Sequence, residues 1–235
     1  MNTGTDKILF WDFDGTLAIP NRAYPWALNE ALVSLGYEVP WTLVDRCTNT
    51  VIPWHTGHYR YPQNTGVQWW KDVTRRAEVF YECSGVKPED YAAVSEAWRR
   101  IMPTYPHTLY DDAVSVLRRC TDMGFTNCVL SNNYPELPDA IRMLGLEEFF
   151  TAYFVSGAVG YDKPRTEIYL HALREMGNPE TAYMIGDNPT ADIRGAKLAG
   201  LKTVWVHPNN PPHPDGLAYA DFICTELAEI PDVLA

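Results

Sequence analysis

From about residue 105 onward, short apolar runs alternate with longer stretches in which apolar positions recur every three or four residues. The runs Phe125–Leu130, Ala152–Val155, Ala182–Ile185 and Lys202–Val206 are continuously apolar instead of alternating, as strands buried on both faces are. The opening run Lys7–Trp11 has the same character. Between them the spacing predicts helices over Asp111–Met123, Pro135–Leu144, Pro164–Met176 and Thr190–Ala199. Each is followed by a glycine suited to a left-handed helix end. Strands alternating with helices in this way predict an α/β fold with a doubly wound, Rossmann-like parallel sheet.

Residues 18–105 break that rhythm. They hold helical patterns over Tyr24–Leu35, Gly66–Cys83 and Pro88–Ile101, with no buried strand. Between the first two lies TNTVIPWHTGHYRYPQNTG, an irregular segment rich in aromatics and turn formers. Pro20 and the tract MPTYPHT (residues 102–108) read as hinges. The expected organisation is a catalytic core formed by residues 1–17 and 106–235, interrupted after its first strand by an α-helical cap domain over 18–105.

Composition narrows the function classes. A net charge of −11 argues against a broad nucleic-acid-binding surface, although a local anion site is compatible with it. The five cysteines are scattered, with no C-x-x-C pair, which points to free thiols in a reducing compartment and away from a disulfide frame or a zinc site. There is no apolar segment of membrane-spanning length and no secretory leader pattern, so no membrane partner is expected and the predicted localisation is cytoplasmic. A monomer or homodimer is expected.

Ligands of open parallel sheets bind beyond the carboxyl ends of the strands, which focuses attention on the polar residues there. The first strand runs into Asp12 and Asp14, the next candidate into Ser131 and Asn132. The run AYMIG is followed by Asp187, with Asp192 one turn beyond, and Lys163 precedes a helix that opens with Pro164. Carboxylates that converge repel one another unless a cation lies among them. Oxygen ligands favour Mg²⁺, which takes one or two carboxylates together with phosphate and water. Lys163, Ser131 and backbone N–H groups are suited to hold a phosphoryl group. A carboxylate nucleophile with a second carboxyl two residues away suits phosphoryl transfer through an aspartyl-phosphate. Gly186 fits a backbone that must come close to a ligand. Thr16 follows the acidic pair as a supporting residue or as an ordinary cap.

Four motifs in this order, DFDGT (Asp12–Thr16), LSN with Ser131, KP with Lys163 and GDNPTAD (Gly186–Asp192), make the chain resemble the haloacid dehalogenase superfamily of hydrolases, in its phosphatase-type branch with a helical cap after the first motif. The Trp69–Trp70 pair is similar to that of the domain-containing 3 subgroup. The resemblance implies that Asp12 is the nucleophile and that Asp14 protonates the leaving alkoxide and then deprotonates water. It implies Mg²⁺ held by Asp12, the Asp14 carbonyl and Asp187, with Asp192 in support. It also implies phosphate bound by Ser131 and Lys163, with Asn132 close by. One position departs from the family pattern: Ala191 stands where Asn is frequent.

Taken singly, each feature has an ordinary reading: an acidic turn, a surface lysine, acids at a helix start. Trp69 and Trp70 fit cap packing better than substrate contact. His55 and His58 have a metal-like spacing without a cysteine partner and read as loop residues. Arg22 and Tyr24 lie where a substrate could touch them, and HPNNPPHPDG from His207 reads as a stiff surface loop.

The expected activity is a Mg²⁺-dependent phosphatase acting on a small phosphorylated metabolite. The alternatives are a phosphomutase of the β-phosphoglucomutase type, a metal-independent 2-haloacid dehalogenase and a non-catalytic binding protein. Asp14, Asp187 and Asp192 argue against the dehalogenase, and the filled catalytic positions argue against the binding protein.

Overall fold

The computed structural model describes residues 7–53, 64–207 and 212–235. Six strands form one parallel sheet: β1 (Lys7–Trp11), β2 (Thr126–Ser131), β3 (Ala152–Val155), β4 (Thr181–Gly186), β5 (Lys202–Val206) and β6 (Phe222–Cys224), in the order β3-β2-β1-β4-β5-β6. Strand β1 lies at the centre, with Phe10 beside Cys128 of β2 and Met184 of β4. The chain leaves β1 to one side and later returns to the other. The carboxyl ends of β1, β2 and β4 therefore open on the crevice where the winding reverses, the place at which such sheets bind ligands.

The alternation of side chains along β1 explains the two apolar layers. Ile8 and Phe10 pack with Cys128, Leu130, Ile168, Tyr169 and Met184 beneath α8 (Thr166–Glu175). Leu9 and Trp11 face the opposite side, with Leu117 and Cys120 of α5 (Ala113–Asp122) and Ile141 of α6 (Leu137–Met143). The predicted strands and the helices between them are present, with ends shifted by a few residues. The glycines after these helices carry positive φ, as their place in the pattern predicts.

Among the described residues, the α-helices between β1 and α5 are α1 (Ala23–Ser34), α2 (Trp41–Val51), α3 (Val67–Cys83) and α4 (Tyr91–Ile101). They pack on one another, and their buried side chains join the Leu9–Trp11 layer in one continuous apolar cluster. Helix α2 runs into a segment that the sequence reads as irregular. Its threonines and asparagine have low helix propensity, yet Val44, Cys47, Thr48 and Val51 are buried at helical spacing, so packing decides its conformation.

Three other features differ from the sequence reading. The helix expected over Thr190–Ala199 is a π-helical stretch, Pro189–Arg194, followed by the short α9 (Gly195–Leu198). The tract beginning at His207 ends in α10 (Pro214–Tyr219), which is followed by the three-residue edge strand β6 and by α11 (Ile230–Leu234). A further turn, α7 (Ser156–Val159), follows β3. All are too short for a periodic signal. His55 and His58 lie outside the described residues. Among the described residues no helix is long and apolar enough to cross a membrane, and the five cysteines are free, four of them buried.

Candidate active site

Asp12, the first residue beyond β1, is fixed by its backbone N–H donating to the Ile185 carbonyl at 2.9 Å. Gly15 then turns the chain at a φ of +89°, and a Cβ there would lie 2.5 Å from Asp187 Oδ2. Glycine is required twice over, for the dihedral and for the space. Thr16 is buried, and its hydroxyl accepts from the Asp187 N–H at 3.1 Å, tying the loop after β4 to the loop after β1.

The carboxylates gather as the sequence predicts. Oxygens of Asp12, Asp187 and Asp192 all lie within 4.8 Å of one another. Lys163, almost fully buried, places Nζ 2.9 Å from Asp12 Oδ1 and 2.6 Å from Asp192 Oδ1, and donates to the Leu130 carbonyl at 3.0 Å. Burial works against the ammonium, but Asp12 and Asp192 outweigh it and hold the Lys163 pKa above its ordinary value. Burial, with the charges of Asp192 and Asp12 close by, pushes the Asp187 carboxyl up to about 8. Burial likewise lifts Asp192 to about 7, against the pull of Lys163.

Three carboxylates facing one lysine leave negative charge in excess. A cluster of hard oxygen donors with an unbalanced charge fits a divalent cation such as Mg²⁺.

Gly186 has a different reason from the one the sequence suggests: a Cβ there would meet Asp192 Oδ2 at 2.2 Å, so the missing side chain makes room for a carboxylate of the chain itself. Asn188 caps the π-helical stretch by accepting from the N–H groups of Thr190 and Ala191. Ala191, which departs from the family pattern, accepts from the Tyr169 hydroxyl through its backbone carbonyl.

Ser131 ends β2 and lines the same cavity. Asn132 lines it too, but its carboxamide is committed to the lysine loop. It donates to the Lys163 carbonyl at 2.9 Å and accepts from the Lys163 N–H at 2.7 Å. Asn132 thus aims Lys163.

Asp14 lies apart from the charge cluster. Asn21 Nδ2 donates to its Oδ1 at 2.7 Å and Asn133 Nδ2 to its Oδ2 at 2.8 Å, while His107 Nδ1 is 3.8 Å from Oδ1. Burial raises the Asp14 pKa and lowers that of His107. These three neighbours escape the sequence reading. Asn133 is the second Asn of LSNN, Asn21 follows the hinge residue Pro20, and His107 sits within the hinge tract MPTYPHT.

A cavity of about 370 Å³ spans the site. Its floor holds Asp12, Ser131, Lys163 and Asp187, and its wall on the helical side is formed by Arg22, Tyr24, Asp45 and Asn49. Arg22 pairs with Asp45 at 2.5 Å. The Trp69–Trp70 pair is buried away from this cavity. Trp70 packs edge-to-face on Trp69 and Trp98, and its indole N–H donates to Glu136 Oε2 at 2.8 Å. Arg99 also reaches Glu136, at 3.1 Å, so the aromatic cluster fastens the helical segment to α6.

Residues 7–200 match the family model of haloacid dehalogenase-like hydrolases. The phosphoserine phosphatase of Thermus thermophilus is 32% identical over 215 residues, covering 88% of this chain and 78% of its own. The glyceraldehyde 3-phosphate phosphatase of Pyrococcus furiosus is 26% identical over 97% of this chain and 92% of its own. Human haloacid dehalogenase-like hydrolase domain-containing protein 3 is 31% identical over 60% of this chain and 57% of its own. Among solved structures, the magnesium-bound HAD-hydrolase YfnB of Bacillus subtilis superposes with a TM-score of 0.71 at 23% identity, covering 97% of this chain and 98% of its own. A 2-haloacid dehalogenase of Pseudomonas syringae, at 0.70 and 22%, and a β-phosphoglucomutase of Thermotoga maritima, at 0.67 and 20%, share the fold and do not choose between activities. The chain is an enzyme that belongs to the haloacid dehalogenase-like hydrolases.

Proposed function

We propose that the protein is a Mg²⁺-dependent phosphatase of a small phosphorylated metabolite, working through an aspartyl-phosphate on Asp12. The observation that carries this reading is the Lys163 ammonium held between Asp12 and Asp192 at the floor of the cavity, with Asp187 beside them. Asp12 Oδ attacks phosphorus and the P–O bond to the leaving alcohol breaks. Lys163 and Ser131 stabilise the phosphoryl oxygens as charge shifts onto them. Asp14 delivers its proton to the departing oxygen, then takes one from the water that attacks phosphorus and releases Asp12 and phosphate. Asp12, Asp187 and the Asp14 carbonyl would hold Mg²⁺, with Asp192 in support. That ion supplies positive charge against which phosphate dianion and carboxylate can meet.

Two relatives matched over most of this chain are named for small phosphomonoesters, and the polar wall of Arg22, Tyr24, Asp45 and Asn49 supports a small, polar alcohol as the leaving group. The helical segment over 18–105 then acts as a cap on the core of 1–17 and 106–235, excluding bulk water during transfer. The five free thiols support a cytoplasmic setting, and a monomer or homodimer suffices. The test is hydrolysis of p-nitrophenyl phosphate with Mg²⁺, with EDTA and in Asp12→Asn. Turnover is expected with Mg²⁺ alone, and activity surviving both EDTA and the substitution contradicts the reading.

A further inference from the structure

The proton-transfer carboxyl is gripped by two side-chain amides whose orientation is fixed from behind. Asn21 Oδ1 accepts from the Ala23 N–H at 2.9 Å, which turns its NH₂ toward Asp14. Asn133 Oδ1 accepts from the Tyr24 hydroxyl at 3.0 Å and the Tyr134 N–H at 3.1 Å, which turns its NH₂ the same way. An amide nitrogen cannot accept a hydrogen bond. The 3.2 Å contact of Asn21 Nδ2 with His107 Nδ1 therefore makes that ring nitrogen the acceptor and takes the second Asn21 hydrogen. His107 is itself held edge-on between the rings of Phe13 and Tyr105.

We propose that Asn21 and Asn133 are positioning residues for Asp14 and that His107 fixes Asn21; the proposal rests on Asp14 acting as the proton-transfer group. Such a clamp is needed because a carboxylate only two residues beyond Asp12 would otherwise be drawn toward Lys163 and the metal site. Neutral donors on both oxygens hold it at the leaving-group side without adding charge. Asn21 lines the cavity, but its amide hydrogens and its oxygen are committed to Asp14, His107 and the Ala23 N–H, as those of Asn133 are to Asp14, the Tyr24 hydroxyl and the Tyr134 N–H, so their influence runs through Asp14.

That confinement defines the experiment. The quantity kcat/KM is compared for p-nitrophenyl phosphate, whose leaving group departs with little help from a proton, and for phenyl phosphate, which needs one. Removing an acid catalyst costs about 10²–10⁴-fold where protonation matters, and displacing it is expected to cost a fraction of that. Asn21→Ala and Asn133→Ala should each lower kcat/KM on phenyl phosphate about tenfold more than on p-nitrophenyl phosphate. His107→Phe, which keeps an aromatic ring but no acceptor, should act in the same direction and less strongly. In an Asp14→Ala background, Asn21→Ala should change neither value further. Equal losses on the two substrates, or a loss that persists without Asp14, overturn the clamp. If Asp12→Asn retains wild-type turnover, the catalytic reading beneath it fails instead.

Discussion

Two sides of one cavity hold their carboxylates by opposite means. On the core side, Asp12 and Asp192 are buried and Asp187 partly so, and among the described residues Lys163 is the cation that pairs with them. On the hinge side, Asp14 is held by amides and a histidine ring. The first arrangement is tense: burial and neighbouring charge lift Asp187 to about 8 and Asp192 to about 7, and it has use for a cation. The second orients a group without stabilising its charge through an ion pair, which suits a carboxyl that must both give and take a proton.

The comparison can be broken first at its most demanding point. Asp12→Asn removes the attacking oxygen, and kcat should fall by about 10⁴-fold or more, as loss of a nucleophile does, measured by phosphate release. Lys163→Met tests the charge balance. A buried pair stripped of one partner costs about 3–5 kcal/mol, so the metal-free variant should unfold roughly 6–20 °C earlier in a thermal melt. An Asp14→Asn control should shift the melt far less, because no ion pair is lost.

The raised carboxyls give a pH signature. A carboxyl whose pKa is higher in the folded than in the unfolded protein stabilises the fold below its unfolded value, and that contribution is lost as pH rises through the folded value. With Asp187 near 8 and Asp192 near 7, this part of the metal-free protein's stability declines from about pH 4 to pH 8. Bound at this site, Mg²⁺ should reverse the loss by taking the place of the protons. At a hundredfold excess over its dissociation constant it should raise the melting temperature by roughly 5–10 °C at pH 8, and by clearly less at pH 5. Melts with Mg²⁺ and with EDTA at both pH values check this. The smallest effect concerns the anchor of the helical segment. Glu136→Ala leaves the Trp70 indole N–H without its acceptor and Arg99 with Glu96 as its remaining carboxylate, and should cost about 1–3 kcal/mol, with p-nitrophenyl phosphate turnover reduced far less than by any change at the cavity floor.

The same two sides differ in how far the chain reveals them. The core strands carry continuous apolar runs, and the charged residues at their ends belong to short motifs at readable spacing. Strand β1, Asp12, Lys163 and Asp187 therefore stand out before any coordinates. Parallel strands also impose their winding, so the meeting of distant motifs follows from the fold class. The hinge side gives no such signal. Asn21, Asn133 and His107 are single polar residues in irregular tracts, and their meeting depends on how the helical segment docks. Helix α2 was hidden because its low-propensity residues are overruled by burial of Val44, Cys47 and Val51. At Asn132 and Gly186 the residue type is visible in the chain but its use is not: one aims Lys163, the other makes room for Asp192.

The central claim is that Asp12 becomes phosphorylated while Asp14 handles the proton. Its most direct test uses Asp14→Asn, which slows attack by water, with ³²P-labelled p-nitrophenyl phosphate and Mg²⁺, followed by acid quench, borohydride reduction and peptide mapping. The account predicts close to one label per chain before reduction, and homoserine in place of Asp12 in the peptide Ile8–Arg22 afterwards. A chain that turns over substrate but carries no label, or carries it on another residue, contradicts the account.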